Sequence, residues 1–194
     1  MARTSTTKRQ ILDAALELAA TKGITGTTMD EVAERAGVAK GSLYYNFSSK
    51  DLLFEALLKE RVGALAESLR RAKGERRGQE AIEALVAELL DVIAANSALA
   101  KLMAAEIFRT DRAWQETLFA LRHEALAVFA EAIAEASGPA GAGRTDASAA
   151  AAAGLRASAV FGAVLMAGLE WLVFEPDRDR AEVAAAILAT LRPA

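Results

Sequence analysis

The chain contains no cysteine and a single histidine, His123, among its 194 residues. The absence of cysteine excludes disulfides, thiolate zinc sites and cysteine nucleophiles, and it fits a reducing compartment such as the cytoplasm. A lone histidine without cysteine also argues against a metal site. His123 stands between Arg122 and Glu124, as surface residues commonly do. We therefore expect neither a metal ion nor any other cofactor.

Long apolar runs are scarce too. The longest uncharged apolar stretch covers residues 157–169, between Arg156 and Glu170, whereas a bilayer span needs roughly 20 residues. We predict a buried helix at this stretch and no membrane partner. The N-terminal residues MARTSTTKRQ lack the apolar segment of a secretory leader, so a cytoplasmic location is expected.

Enzyme motifs are missing as well. The sequence has no phosphate-binding loop, no glycine-rich dinucleotide turn, no nucleophile elbow and no metal-ligand cluster. Its carboxylates lie mostly beside basic residues on helix faces, which is typical of solvated surfaces. We expect a protein that is not an enzyme, and turnover of a bound compound would reverse that expectation.

Helical periodicity runs through the whole chain, and no strand-like alternation occurs. With 53% hydrophobic residues the chain can bury a sizeable core. We predict an all-α fold of about nine helices, at residues 8–22, 29–36, 39–45, 50–72, 79–95, 97–108, 111–136, 147–174 and 180–191. The clearest loop is SGPAGAGRTD, residues 137–146.

Residues 27–50, TTMDEVAERAGVAKGSLYYNFSSK, form the most informative stretch. Thr28 and Glu31 have the spacing of a capping box at the start of a helix. Gly37 suits the left-handed position that ends a helix, so a tight turn should separate two short helices. The pattern predicts a helix-turn-helix, whose second helix enters the DNA major groove.

The second of these helices has an unusually polar composition for a core element. It combines a cation, a residue without a side chain, a hydroxyl and two phenols, namely Lys40, Gly41, Ser42, Tyr44 and Tyr45. Small and polar groups permit close approach to phosphates and base edges. The alternative is an ordinary helical hairpin with coincidental polar residues, which the agreement of cap, turn and polarity disfavours.

The charge distribution agrees with a DNA-binding N-terminus. Residues 1–50 hold seven Lys/Arg and five Asp/Glu, a net charge of +2. The remaining residues hold 16 Lys/Arg and 21 Asp/Glu, a net charge of −5. A basic end and an acidic remainder suit a protein that presents one end to a polyanion.

Small residues recur along the penultimate helix at a spacing of four, which would let another helix approach closely. Leucine and isoleucine near them, and on the last helix, supply more apolar surface than one subunit needs. We predict a four-helix dimer interface that includes Gly154, Ser158, Gly162, Leu165, Leu169, Ile187 and Leu191. In an alanine-rich chain, chance is the alternative explanation for the stripe.

Several aromatic and methionine side chains fall in the C-terminal part. Each of them could belong to the core, but a helical body with several aromatics can also enclose an apolar cavity. We expect some subset of Met103, Phe108, Trp114, Phe119, Phe161, Met166 and Trp171 to line an effector pocket.

Residues 8–54 resemble the tetracycline-repressor-like (TetR-type) transcriptional regulators. The resemblance is carried by the run ILDAALELAATKGITGTTMDEVAERAGVAKGSLYYNFSSKDLLF. It implies a DNA-binding domain at residues 1–50 and an effector-binding and dimerisation domain at residues 51–194. It also implies a homodimer that pairs through its last two helices.

Carried over residue by residue, the resemblance places several side chains at DNA, mostly at phosphates: Thr28, Lys40, Ser42, Tyr44 and Lys50. Gly41 would allow close approach to the groove. Tyr45 occupies a position where the family commonly has Tyr or His, and it could either contact DNA or pack half into the core.

Together these features predict a dimeric repressor that a small apolar effector releases from a palindromic double-stranded DNA operator. In this mechanism the helix at residues 50–72 swings when the effector binds. The alternative is a DNA-binding dimer with a solid body that is regulated by a protein partner or is constitutive. A cavity large enough for a small molecule would favour the first hypothesis.

Overall fold

A computed structural model of the chain describes residues 2–106, 109, 111–136 and 146–191, and every regular element among them is a helix. In chain order the helices are α1 Ala2–Gly26, α2 Met29–Arg35, α3 Lys40–Asn46, α4 Lys50–Lys73, α5 Gly78–Ala95, α6 Ser97–Glu106, α7 Gln115–Ala136, α8 Asp146–Phe174 and α9 Arg180–Leu191. The predicted all-α fold and its order of helices are confirmed.

Most predicted boundaries agree with the structure to within a residue or two. Helix α1 is longer than expected and begins at Ala2, while α7 begins at Gln115 instead of residue 111. The start of α7 is delayed because Gln115 N–H bonds back to the Arg112 carbonyl (3.2 Å), so the residues before it form a turn. The predicted end of α6 at Phe108 and nearly all of the predicted loop at 137–146 lie outside the described residues.

Gly23 ends the regular part of α1, as its sequence position predicts. Its φ of 74° and ψ of 162° interrupt the helical geometry, and a positive φ is far easier for glycine than for other residues. The Thr27 hydroxyl donates to the Gly23 carbonyl (2.9 Å), and Thr27 N–H donates to the Ile24 carbonyl (3.2 Å). Residues 23–28, which we call the α1–α2 connection, are thereby held in a compact turn.

The chain divides into two compact units. The first contains Met1–Gly63 and Ala98–Ala120, and the second contains Ala64–Ser97 and Leu121–Ala194. This structural division differs from the domain boundary expected after residue 50, because residues 98–120 group with the N-terminal helices. The functional division into residues 1–50 and 51–194 stays a prediction.

The first unit has a continuous apolar core around α1 and the start of α4. Its fully buried side chains include Ile11, Leu12, Ile24, Val32, Leu43, Leu53, Phe54, Leu57 and Leu58. The Phe54 and Trp114 rings pack with centroids 5.9 Å apart. Burial of each such side chain contributes about 1.5–3 kcal/mol, so this core holds α2 and α3 on a rigid support.

The second unit is built around the packing of α5 against α8. Gly168 makes this close approach possible, because a Cβ added there would lie 3.1 Å from Ile93 Cδ1 and 3.3 Å from Leu90 Cδ2. Phe161, also on α8, packs edge to face against Phe129 of α7, with the ring centroids 6.0 Å apart. Helix α8 therefore has one well-packed face.

The opposite face of α8 corrects the prediction of a buried helix. Ala157, Val160 and Val164 are buried, but Leu155 is 76% exposed and Met166 is 63% exposed. The stretch Ala151–Phe174 is long and apolar enough to span a membrane by length and composition alone, and only 22% of its most apolar window is buried. Sequence hydrophobicity indicated burial correctly for one face and wrongly for the other.

Candidate nucleic-acid interface

The start of α2 carries the predicted capping box. The Thr28 hydroxyl accepts a hydrogen bond from Glu31 N–H (3.3 Å), and the Glu31 carboxylate accepts one from Thr28 N–H (2.9 Å). The Thr28 hydroxyl also donates to the Glu31 carboxylate (2.7 Å). Reciprocal bonds of this kind satisfy amides that helix geometry leaves unpaired, so the position of α2 is locally determined.

Glu31 also pairs with Lys22, and this contact is the main reason why the pKa of Glu31 is lowered. The hydrogen bond from Lys22 is the largest cause, followed by those from Thr28, and together they lower the pKa of Glu31 from 4.5 to about 2. A carboxylate with a depressed folded-state pKa stabilises the fold above its unfolded pKa and loses that contribution as the pH falls.

We therefore expect the cap of α2 to weaken as the pH drops from 4.5 towards 2. At the first turn of α2 of the wild type, the protection of the amides, meaning their exchange rate relative to the intrinsic rate at each pH, should therefore fall across this window. Glu31→Gln has no proton to take up there and should show no such step, with exchange already faster at pH 7. Identical pH profiles for the two proteins would contradict the assignment.

The turn after α2 follows the predicted glycine geometry. Gly37 has a φ of 65°, its N–H donates to the Glu34 carbonyl (3.1 Å), and Val38 N–H donates to the Ala33 carbonyl (3.0 Å). These bonds close the end of α2 in the manner of a left-handed glycine cap. Helix α3 then begins at Lys40, which confirms the helix–turn–helix arrangement in this part of the chain.

Helix α3 presents its polar residues outwards. Leu43 is fully buried and anchors the helix, and Ser42 is half-buried. Lys40 and Gly41 are exposed. Tyr45 is 85% exposed, which excludes the alternative that its ring packs half into the core. Tyr44 is 48% exposed on the same outward side.

Lys40 has a partner that the sequence did not indicate. Its ammonium donates to the Asp30 carboxylate on α2 at 2.6 Å, with the two side chains 65% and 57% exposed. This hydrogen bond raises the pKa of Lys40 above its ordinary 10.5. An acidic residue in the first turn of a helix is common for reasons of the helix dipole, so Asp30 gave no separate signal.

Lys50 lies at the α1–α2 connection. Its ammonium donates to the carbonyls of Ile24 (3.2 Å), Thr27 (3.1 Å) and Thr25 (3.4 Å). These bonds give an intramolecular reason for a cation at the start of α4, where the helix dipole alone would disfavour it. Contact of Lys50 with DNA stays a prediction.

The residues expected to line an effector pocket are spread over both units. Met103, Trp114 and Phe119 belong to the first unit, while Phe161, Met166 and Trp171 belong to the second. Trp114 is buried in the core, whereas Phe119 and Met166 are 46% and 63% exposed. Phe108 lies outside the described residues. Of this set, Trp171 lines a described cavity, a small one of about 200 Å³.

A larger cavity in the second unit was not anticipated. It measures about 670 Å³, within the range of small-molecule sites. Apolar side chains share its wall with three polar ones, and the lining consists of Gln79, Ile82, Ile133, Ala136, Arg156, Ala159, Val160, Thr190 and Leu191. Four separate helices supply these residues, so no local sequence pattern marks the site.

The small-residue stripe on α8 leaves open space. A Cβ added at Gly154 or Gly162 would meet no atom within 4 Å, and Ser158, Leu165, Leu169 and Leu191 are only half-buried. Ile187 differs from the rest of the predicted interface set. It is 5% exposed within its own protomer, because it faces the unit's own core, and it therefore offers little surface to a partner.

The geometry of α2, the Gly37 turn and α3 defines a helix-turn-helix protein. Residues 11–57 match the family model described as bacterial regulatory proteins, tetR family. Over this N-terminal part the chain is therefore similar to the TetR-type transcriptional regulators.

Two relatives from Pseudomonas putida are each 33% identical to this chain over 87 residues, or 45% of its length. They are the HTH-type transcriptional regulator SrpR and the uncharacterized HTH-type transcriptional regulator TtgW, of which the match covers 39% and 63%. The likeness therefore extends over less than two thirds of either relative.

Solved structures are similar over nearly the whole chain. A Clostridium perfringens protein described as a fatty acid metabolism regulator aligns with a TM-score of 0.77 at 25% identity, covering 94% of this chain and 96% of its own. FadR from Bacillus subtilis, solved with stearoyl-CoA, aligns at 0.75 and 21% identity over 94% and 96%. AibR, solved with isovaleryl coenzyme A and operator DNA, aligns at 0.75 and 20% identity over 95% and 97%.

Proposed function

We propose that the chain is a cytoplasmic, dimeric repressor that binds a palindromic operator through α3 and leaves it when a small effector binds. The observation that carries this proposal is the outward face of α3. Its exposed cation, glycine and two phenols surround a single buried anchor, Leu43. A helix folded only to fill a core has no need of that face.

The contacts with DNA follow from the exposed groups. Lys40, Ser42 and Tyr44 would bond to phosphates, with Thr28 at the N-terminus of α2 beside them. Gly41 would let the α3 backbone approach the groove closely. Tyr45, the most exposed of these side chains, would reach base edges.

A dimer would place two such helices on one operator. The outward apolar side of α8 supports dimerisation, because Leu155, Met166 and Phe174 are 76%, 63% and 71% exposed in one protomer. Exposed apolar surface of this kind commonly marks an interaction site. Half-sites about 34 Å apart, one helical turn of DNA or a small multiple of it, would match the two-fold symmetry.

The cavity of about 670 Å³ is the candidate effector site. Its apolar wall and its three polar side chains, Gln79, Arg156 and Thr190, suit an apolar molecule that carries an acceptor or anionic group. Complexes with stearoyl-CoA and isovaleryl coenzyme A exist for two regulators of this fold. Acyl thioesters and fatty acids are therefore the first compounds to test.

Release would work by a population shift. An effector that binds one conformation more tightly favours it, and in the disfavoured conformation the α3 helices no longer match the operator spacing. Helix α4 runs from the first unit into the second and is the proposed moving part. Linkage requires operator DNA to weaken effector binding by the same factor, and an effector with equal affinity for free and DNA-bound protein would be excluded.

The second hypothesis is a DNA-binding dimer that responds to a protein partner or to nothing. The cleft of about 670 Å³ in the second unit supports the effector hypothesis, because it has room for a small molecule. Binding of an acyl compound without any change in operator affinity would favour the second hypothesis.

Selection of bound fragments from the source genome tests the proposed function. We expect enrichment of fragments that share a palindromic sequence, with two protomers bound per palindrome. Recovery of fragments in proportion to their abundance would contradict specific DNA binding.

Asp30 should restrain DNA binding, because it holds Lys40 and places a negative charge beside it. We expect Asp30→Asn to raise affinity for all DNA sequences by up to about fivefold, as the release of an exposed ion pair allows. Lys40→Ala should lower affinity. Electrophoretic mobility shifts on selected and scrambled fragments measure both effects, and weaker binding by Asp30→Asn would contradict the proposed position of α3.

A further inference from the structure

A buried ion pair lies between the end of α6 and the start of α7. The Glu106 carboxylate is 5% exposed and accepts two hydrogen bonds from Arg112, from Nε at 2.9 Å and from Nη2 at 3.1 Å. The Arg112 side chain is only 14% exposed. A two-point contact between a planar guanidinium and a carboxylate fixes the direction of both groups, so Arg112 has little freedom to turn.

Arg112 also forms a hydrogen bond to the N-terminal part of the chain. Its Nη2 donates to the Thr25 hydroxyl at 3.0 Å, although the two residues are 87 positions apart in the chain. Thr25 lies in the α1–α2 connection, three residues before the Thr28 cap of α2. Lys50 bonds to three carbonyls of this same connection. Two cations therefore hold one short turn, one through a side chain and one through the backbone.

Packing against α4 further restricts Arg112. Its guanidinium lies 5.5 Å from the centroid of the Trp114 ring, which in turn packs on Phe54. The Thr117 hydroxyl donates to the Glu55 carboxylate at 3.1 Å. All these residues belong to the first compact unit. Residues 98–120 thus contact the α1–α2 connection directly. This contact is separate from the proposed movement of α4.

We propose that Arg112 is a positioning residue for DNA binding. Held by Glu106, it fixes the α1–α2 connection and thereby the direction in which α2 and α3 face DNA, without touching DNA itself. This role rests on the proposed DNA-binding function. It gives α6 and α7 a means of changing operator affinity, because any movement that separates Arg112 from Thr25 loosens the support of α2.

Thr25→Val is the most informative variant, because it removes the hydroxyl and leaves the Glu106–Arg112 pair intact. Thr21→Val is its matched control, since the exposed Thr21 hydroxyl bonds only to the carbonyls of its own helix, at Leu18 and Glu17. Arg112→Ala removes the other partner. Its control is Arg109→Ala, which deletes the same charge from an arginine that bonds to exposed Asp111 and reaches Glu106 only at 3.9 Å.

Two measurements follow. Hydrogen exchange without DNA should accelerate at the amides of residues 24–28 in Thr25→Val and Arg112→Ala, and stay unchanged in both controls. Affinity for the selected operator should fall about tenfold in Thr25→Val, as loss of one hydrogen bond to a charged group allows. The dependence on salt should stay unchanged, because no phosphate contact is lost. The double variant should be no weaker than Arg112→Ala alone.

The outcomes separate this role from the proposed function. Wild-type protein that binds no selected fragment would overturn the DNA-binding function and this role with it. Wild-type operator binding with unchanged affinity or unchanged exchange in Thr25→Val would overturn only the role of Arg112. Additive effects of Thr25→Val and Arg112→Ala would overturn it as well, and this comparison holds for any variant that stays folded.

Discussion

Gly162→Asp should convert the proposed dimer into monomers that no longer bind the operator. A Cβ at this position meets no atom within 4 Å in the protomer, so the substitution leaves the fold of one chain undisturbed. In a two-fold interface both chains use the same surface patch, so the substitution introduces a carboxylate twice. Each carboxylate would be buried against apolar side chains at the interface, at a cost of several kcal/mol.

Sedimentation equilibrium should show the dissociation constant of the dimer raised by at least about a hundredfold, equivalent to roughly 3 kcal/mol. Operator affinity should fall with it, because a monomer engages only one half-site. Ala127→Asp is the matched control, since it places the same charge on an exposed position of α7. If the Gly162→Asp protein stays dimeric, the dimer interface does not include this face of α8.

Gly41→Glu should abolish operator binding without loss of stability. Gly41 is exposed at the second residue of α3, and a Cβ there meets nothing within 4 Å. A carboxylate near a helix N-terminus is favourable, and replacement of glycine within a helix is stabilising. The protein should therefore melt at the same temperature as the wild type or higher.

At DNA the same side chain would be strongly unfavourable. It would hold the α3 backbone away from the groove and bring a negative charge to the phosphates, and like charges in contact cost several kcal/mol. We expect a loss of affinity of at least about a hundredfold. Gly41→Ala separates the two causes, because it adds bulk without charge. Wild-type affinity in Gly41→Glu would show that α3 does not enter the groove.

Local sequence patterns predicted the helix-turn-helix in detail. The bonds between Thr28 and Glu31 and the positive φ of Gly37 depend on residues within a few positions of one another. Side-chain chemistry and backbone preference decide such features almost without tertiary context. The helices in the described part of the chain followed from periodicity for the same reason.

Contacts between distant residues could not be predicted in this way. Arg112 meets Thr25 across 87 positions, and Lys50 meets Thr27 across 23. The sequence shows each cation but not its partner. It therefore indicates DNA as the partner of Lys50 and indicates no partner for Arg112. Ile187 has the hydrophobicity of an interface residue, and only its packing shows that its own protomer buries it.

The cavity illustrates the same limit. Its wall combines residues of α5, α7, α8 and α9, and no short segment contains more than a few of them. The prediction from aromatic content instead selected Trp114 and Phe161, which pack against Phe54 and Phe129. Large rings tend to fill a core, and here the described cavity is lined mainly by smaller side chains.

The affinity of the wild-type protein for its selected genomic fragment, measured from about 50 to 200 mM salt, tests the central claim most directly. One Lys40 at a phosphate in each of two protomers predicts a straight plot of log affinity against log salt concentration, with a slope of about −2 or steeper. It also predicts a higher affinity for the fragment than for its scrambled form at every salt concentration. A flat plot, or equal affinity for the two fragments, would contradict operator recognition through α3.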